Sequence, residues 1–200
     1  MKITYLSHAC FEFKNSLTLL IDPYFTKDNP LAPKYDGKPD LVLVTHEHFD
    51  HNDAERFDTL VVAPSTCNFK KQEPFRIGDK RKVMGVEIEM ISASHHQSKY
   101  ATGYIFMFEG KRVCHLGDTY IDGVKPLKDI DILLIPIGGF YTMNIDEALS
   151  ALNVIKPKFV IPMHYNTFEQ IKADPREFER KAKDAGFKCR VIEIGEQIEV

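Results

Sequence analysis

Hydrophobic residues in this chain come in short runs of strand length, separated by charged and turn-forming positions. Residues 1–6 make the first run. Residues 10–13 and 17–21 flank a turn at Lys14-Asn15-Ser16, and Asp22-Pro23 ends the second of the pair. Residues 28–40 hold three prolines and a glycine, which predicts an irregular loop. Residues 41–44 and 60–63 are continuously apolar, as strands covered on both faces are. Between them, residues 52–57 read as a short helix. Residues 83–91 alternate like one half-exposed strand, and residues 103–108 and 112–116 flank Glu109-Gly110-Lys111 as a hairpin. Residues 132–137 form a further buried strand.

Helical spacing appears late. Asn144 with Glu147 three positions on resembles a capping box, and Ala148, Leu149, Ala151, Leu152 and Ile155 give the helix that follows an apolar face ending before Pro157. Residues 158–162 return to a strand. Asp174-Pro175 and Gly186 bracket a second helix through Phe178 and Ala182. Residues 190–194 and 197–200 read as a closing hairpin around Gly195-Glu196. No linker, repeat or low-complexity tract interrupts this order, so the expectation is one α/β domain over residues 1–200, in the α+β sense that sheets outweigh helices.

Composition narrows the function. At 200 residues, with 44% hydrophobic and 28% charged positions, the chain suits a single soluble globular domain. A net charge of −3 argues against a nucleic-acid partner, because the basic runs Lys70-Lys71 and Lys80-Arg81-Lys82 are short. No apolar stretch approaches bilayer length, which argues against a membrane partner. Cys10, Cys67, Cys114 and Cys189 form no Cys-x-x-Cys pair. Together with the absence of a signal-like start, this points to a cytoplasmic chain with reduced thiols. A homo-oligomer stays open.

The densest chemistry follows the apolar run at 41–44. Thr45-His46-Glu47-His48-Phe49-Asp50-His51 sets three histidines and Asp50 within six positions. Imidazole nitrogens and carboxylate oxygens are the common ligands of zinc, iron and manganese. In an extended segment His46 and His48 face one side, so they can grip one ion while Asp50 and His51 reach toward another. Further candidates stand where apolar runs hand over to loops: His95 and its neighbour His96, His115, Asp118 after Gly117, and His164. Gly117 is read as allowing close backbone approach to an ion.

These features resemble the metallo-β-lactamase-fold hydrolases, whose signature is the His-x-His-x-Asp-His string found at His46 to His51. Asp22, His95, Gly117-Asp118 and His164 follow the rest of that signature in order. The segments Tyr5-Leu6-Ser7-His8-Ala9, Pro136-Ile137-Gly138-Gly139 and Ile161-Pro162-Met163-His164-Tyr165-Asn166-Thr167 are similar to a narrower group, the metal-dependent hydrolases related to ascorbate-6-phosphate lactonase. The resemblance covers essentially the whole chain. It implies a four-layer αββα sandwich with the site at one edge between the sheets. It also implies two divalent metal ions, zinc first, with manganese or iron as alternatives. His46, His48 and His95 would hold one ion and Asp50, His51 and His164 the other, with Asp118 bridging. The adjacent His96 competes with His95 for its place. His8 and His115 are either supporting or purely structural, and Asp22 orients the ligand loop. The chain departs from the usual pattern at Ser7 and near His115, which leaves the ligand set intact.

The resemblance implies hydrolysis of an ester, lactone, thioester, amide or phosphodiester of a small-molecule substrate by a hydroxide shared between two ions, which Asp50 would orient. A redox role is disfavoured because that branch of the superfamily has Glu where this chain has His48. The alternative is a catalytically inactive metal-bound scaffold that binds a ligand or partner. Phe49, Phe140, Tyr141 and Tyr165 are candidates for a partly apolar pocket or for core packing, and His96, Lys99 and Tyr165 for the acid that protonates the leaving group.

Overall fold

The computed structural model describes residues 1–200, and in it the apolar runs become thirteen strands in two mixed sheets. The first sheet contains β1 (Lys2–Tyr5), β2 (Phe11–Lys14), β3 (Thr18–Ile21), β4 (Leu41–Leu43), β5 (Leu60–Pro64), β6 (Gln72–Phe75) and, from the far end of the chain, β13 (Gln197–Glu199). Its spatial order is β13-β1-β2-β3-β4-β5-β6. The second contains β7 (Lys80–Val83), β8 (Val86–Ser92), β9 (Thr102–Phe108), β10 (Lys111–His115), β11 (Ile132–Pro136) and β12 (Phe159–Met163). Its order is β12-β11-β10-β9-β8-β7.

The inner faces of the two sheets pack on each other through Phe11, Phe13, Leu43, Ile88, Tyr104, Phe106 and Leu134, all buried. Phe13 meets Phe106 edge-on with ring centres 5.0 Å apart. Outside the second sheet lie α1 (Ile145–Ile155) and α2 (Pro175–Asp184), which bury Ala148, Leu152, Ile155, Phe178 and Ala182 against Leu133, Ile135 and Val160. The Asn144–Glu147 capping box is present in full, and Asp174 caps α2 with Pro175 in its first turn. The outer layer over the first sheet is built of loops. There Leu20, Val42, Val44, Val61 and Ala63 are covered by Phe25, Tyr35, Phe57 and Phe69, with Phe25 stacked on Tyr35 at 4.9 Å. The architecture is the α/β metallo-β-lactamase fold, with its helical layer concentrated on one side.

Four local expectations need correction. Residues 52–57 form turns, because the Asp53 N–H is taken by the Pro23 carbonyl and the Asp53 carboxylate accepts from Phe25 N–H. Residues 83–91 are two strands, since Met84 and Gly85 both have positive φ (50° and 87°) and fold the chain into a two-residue hairpin turn. β6 was not foreseen, and it tolerates Pro74 because it lies at the sheet edge. The final hairpin does not form. Residues 189–199 instead cross between sheets, from a bridge of Cys189 with Val160 to antiparallel pairing of β13 with β1.

Strand direction decides where function can sit. β3, β4 and β5 are parallel, and β1 reaches the same direction through two antiparallel steps. In the second sheet β10, β11 and β12 are parallel, and β8 joins them through two antiparallel steps across β9. The C-terminal ends of β1, β3, β4, β8, β10, β11 and β12 therefore leave at one edge. Cross-sheet bonds pin that edge: the His164 N–H donates to the His8 carbonyl (2.7 Å) and the Tyr104 hydroxyl to the Val44 carbonyl (2.9 Å).

Gly117 serves this junction. Its φ is 61°, and a Cβ there would collide with the Thr102 carbonyl. Gly117→Ala should cost on the order of 1–3 kcal/mol, measured as a lower urea midpoint of unfolding.

Candidate metal centre

Each candidate donor begins where one of these strands stops. Thr45 to His51 follow β4, His95 follows β8, Asp118 follows β10 and His164 follows β12, and the structure brings all seven proposed ligands together. His95 is buried beside His48, with Nε2 3.3 Å from His48 Nδ1. His96 is exposed and stacks on Tyr120, so His95 is the neighbour that stands among the other donors. Donor atoms fall into overlapping groups: His46, His48 and His95; His46, His51 and Asp118; and Asp50, His51 and His164 joined by His8. The Asp118 carboxylate lies between them. One oxygen is 3.4 Å from His51 Nε2, and the other is 3.1 Å from His164 Nε2 and 3.9 Å from both His46 Nε2 and His95 Nε2.

Hydrogen bonds behind the donors fix their tautomers. Asp22 accepts from the Thr45 N–H (2.8 Å), the Thr45 hydroxyl (2.7 Å) and His51 Nδ1–H (2.8 Å). With its proton given to Asp22, the Thr45 hydroxyl accepts from His46 Nδ1–H at 3.0 Å. His95 Nδ1–H donates to the Tyr141 carbonyl (3.0 Å) and His48 Nε2–H to the Gln97 carbonyl (3.1 Å). The other nitrogen of each ring is left as a lone pair pointing inward, the arrangement metal-binding histidines require.

That inward set is short of partners. His46 Nε2, His51 Nε2, both nitrogens of His164 and Asp118 Oδ1 are buried without a hydrogen-bond partner. A dry unpartnered polar group costs about 1–3 kcal/mol. Imidazole nitrogens and carboxylate oxygens crowded at 3–4 Å and left unpartnered are what a cation satisfies, so the residues fit divalent metal. Charge follows the same logic. Burial opposes ionisation of Asp118, yet His164 and His51 beside it hold its carboxyl well below the usual range. Burial and the neighbouring His51 push His46 down. Burial also works against a charged His51, but Asp118, Asp22 and Asp50 around it outweigh that and raise it.

The sequence left His8 between two roles, and the structure seats it at the site. Its ring lies 4.1 Å from the His164 ring, Nδ1 pairs with the Thr167 hydroxyl (3.1 Å) and Nε2 stands 3.2 Å from Asp50 Oδ2. The signal available was its place just past β1, the same strand-end position the other ligands occupy. His115 is structural, donating from Nε2 to the Ala9 carbonyl at 2.9 Å while Gly117 N–H donates to its Nδ1. Ser7, His8, Asp22 and His164 all have positive φ, so non-glycine strain concentrates at this edge, as at functional sites.

A cavity of about 480 Å³ opens onto the donors. Phe49, Tyr141 and Phe168 line it with Gln97, Gln170 and Glu47. Of the other aromatic candidates, Phe140 is exposed beside Tyr141 and Tyr165 packs toward Tyr5. None of the three suggested acids, His96, Lys99 and Tyr165, lines this cavity.

Comparison with known proteins agrees with the geometry. Residues 2–164 match the beta-lactamase superfamily domain. Relatives called UPF0173 metal-dependent hydrolases are 35% identical in Thermoplasma acidophilum, over 100% of this chain and 99% of theirs, and 38% identical in Pyrococcus furiosus, over 100% of both. The structure of Igni18, a metallo hydrolase from Ignicoccus hospitalis, superposes with a TM-score of 0.86 at 34% identity, covering 100% of this chain and 98% of that one. The chain belongs to the metallo-β-lactamase superfamily, and within it to the UPF0173 family of metal-dependent hydrolases. These relatives are named hydrolases and not lactonases, so the narrower likeness to ascorbate-6-phosphate lactonase gains nothing from them. No helix is long and apolar enough to cross a membrane.

Two measurements probe the centre. Asp22→Ala should weaken metal binding about 10–100-fold, by isothermal titration, because His51 and Thr45 lose their common anchor. In chelator-stripped protein, burial and the neighbouring His164 lower His8 from 6.5 to about 4. The unfolded chain then takes up this proton first, so stability falls as pH drops from 6.5 toward 4, by about 3 kcal/mol from this group. His46 and His95, also held down by burial, act in the same direction. Urea midpoints across this range should show the loss, and His8→Gln should flatten it.

Proposed function

We propose that the protein is a dinuclear metal-dependent hydrolase acting on an ester, lactone, thioester or phosphodiester bond of a small metabolite. The observation that carries this reading is Asp118, which faces both donor sets: one oxygen lies toward His46 and His95 of the first and His164 of the second, and the other toward His51 of the second. A carboxylate so placed can bridge two ions, one held by His46, His48 and His95 and the other by Asp50, His51 and His164. Two divalent cations there, zinc first, would lower the pKa of a shared water toward neutrality and polarise the scissile bond.

The remaining work falls to the chain. Asp50 lines the cavity beside the donors with Oδ2 turned to His8, leaving Oδ1 to orient water and hold its proton until the leaving group takes it. The lowered pKa of Asp50 keeps it ionised at neutral pH: burial opposes the shift, but His51 and His8 prevail. Phe49 and Phe168 flank the open side of the cavity. A non-catalytic scaffold gains no support from a donor set that is complete and opens on a cavity.

Metal content by mass spectrometry and turnover on an ester and phosphodiester panel test the reading. The wild type should bind two ions per chain and lose activity to a chelator. His48→Ala and Asp118→Ala should lose metal and drop kcat/KM by more than about a hundredfold, beyond what altering groups behind the ligands costs. Full metal occupancy with no turnover on any substrate would sink it.

A further inference from the structure

The wall of the cavity beyond the donors carries no lysine or arginine. Its aromatic members are Phe49, Tyr141 and Phe168, and its uncharged polar members are Gln97 and Gln170. The one carboxylate there besides the ligands, Glu47, is already engaged: it accepts from Lys99 N–H (2.7 Å) and the Ser98 hydroxyl (3.0 Å). Neither helix offers its N-terminus in place of a cation. Asn144, Asp146 and Asp174, at the two helix starts, line a separate cavity. The neighbouring cations are outside the lining, with Lys99 exposed and Lys172 paired to Glu169 at 2.6 Å.

A phosphate group laid on this wall away from the metals would therefore meet no cation and gain no charge-assisted bond, only the neutral amides of Gln97 and Gln170. Apolar groups find the opposite. Phe49 is 59% exposed although it lies inside the ligand string, and its ring stands 6.3 Å from Phe168 and 5.8 Å from the buried Tyr24. An exposed phenyl ring backed by two others is unburied apolar surface facing the place of reaction.

We propose that the substrate is an uncharged carboxylic ester or lactone that lays an aromatic or branched apolar group against Phe49 and Phe168 and bears no phosphate. The inference deepens the hydrolase reading and rests on it. In the reaction a water oxygen bonds to the acyl carbon, the bond from that carbon to the alcohol oxygen breaks, one proton of the water passes through Asp50 to the departing alkoxide, and the other is released to solvent. The products are a carboxylate and an alcohol. Coenzyme A thioesters, whose handle carries phosphates, fall outside this class.

The experiment compares metal-loaded wild type on phenyl acetate, phenyl 3-phenylpropanoate and the latter ester phosphorylated on its acyl ring. Expected is a kcat/KM about tenfold higher for the phenylpropanoate than for the acetate, and at least about a hundredfold lower for the phosphorylated ester. Phe49→Ala and Phe168→Ala should each shrink the phenylpropanoate preference. Binding of 3-phenylpropanohydroxamic acid and its ring-phosphorylated analogue, by calorimetry on the same protein, reads the wall without turnover. Equal or tighter binding of the phosphorylated hydroxamate, or faster hydrolysis of the phosphorylated ester, overturns the proposal. A retained preference for the plain hydroxamate, with no ester hydrolysed, overturns the carboxylic-ester assignment while leaving the wall's selectivity standing, and the absence of turnover on the phosphodiester panel as well would defeat the hydrolase reading beneath it.

Discussion

One carboxylate holds the site in register. Asp22 accepts from the backbone and hydroxyl of Thr45 and from His51, and through Thr45 it sets the ring of His46. It is fully buried and sits past β3, whose neighbour β4 delivers the ligand string. Two donors from different turns of one loop are thus referred to a single point on the adjacent strand. Without it the lone pairs of His46 and His51 would have no reason to point the same way. His48 and His95 are oriented by backbone carbonyls instead, which no side-chain substitution can remove.

Parallel strand ends make that precision affordable in a chain of this size. Strands of both sheets release their loops at one edge, and the bonds from Tyr104 to Val44 and from His164 to His8 close the two sheets over it. The inter-sheet core beneath is dry and aromatic, so the donors stand on a floor that does not yield. Electrostatics then follow from crowding. Imidazoles and carboxylates share one buried volume, and each shifts its neighbour's proton affinity.

Much of this was legible in the residues. The ligand string, Asp118 and His164 announce themselves by composition at the ends of apolar runs, and the capping box of α1 is written in Asn144 and Glu147. His8 was harder, because a lone histidine after a short strand has no local signature. Only the packing of β1 beside the other strand ends brings it to Asp50. The helix expected at residues 52–57 failed because Asp53 and Asn52 spend their hydrogen bonds on Pro23, Phe25 and Glu47, contacts invisible to helical propensity. The strand expected at 190–194 failed for a topological reason: β1 still needed an edge partner, and β13 supplied it.

The loop layer over the first sheet has a bearing on how the molecule responds to its surroundings. Phe25, Tyr35 and Phe57, which cover that sheet, belong to the loops that also carry Asp22 and the ligand string. In a four-layer αββα sandwich a helix would roof such a surface on its own strength. Here roof and centre are one piece of polypeptide, so ion loading and closure of this face are thermodynamically linked. Removing bound metal should loosen this flank first, while the helical side keeps its protection from solvent exchange and proteases.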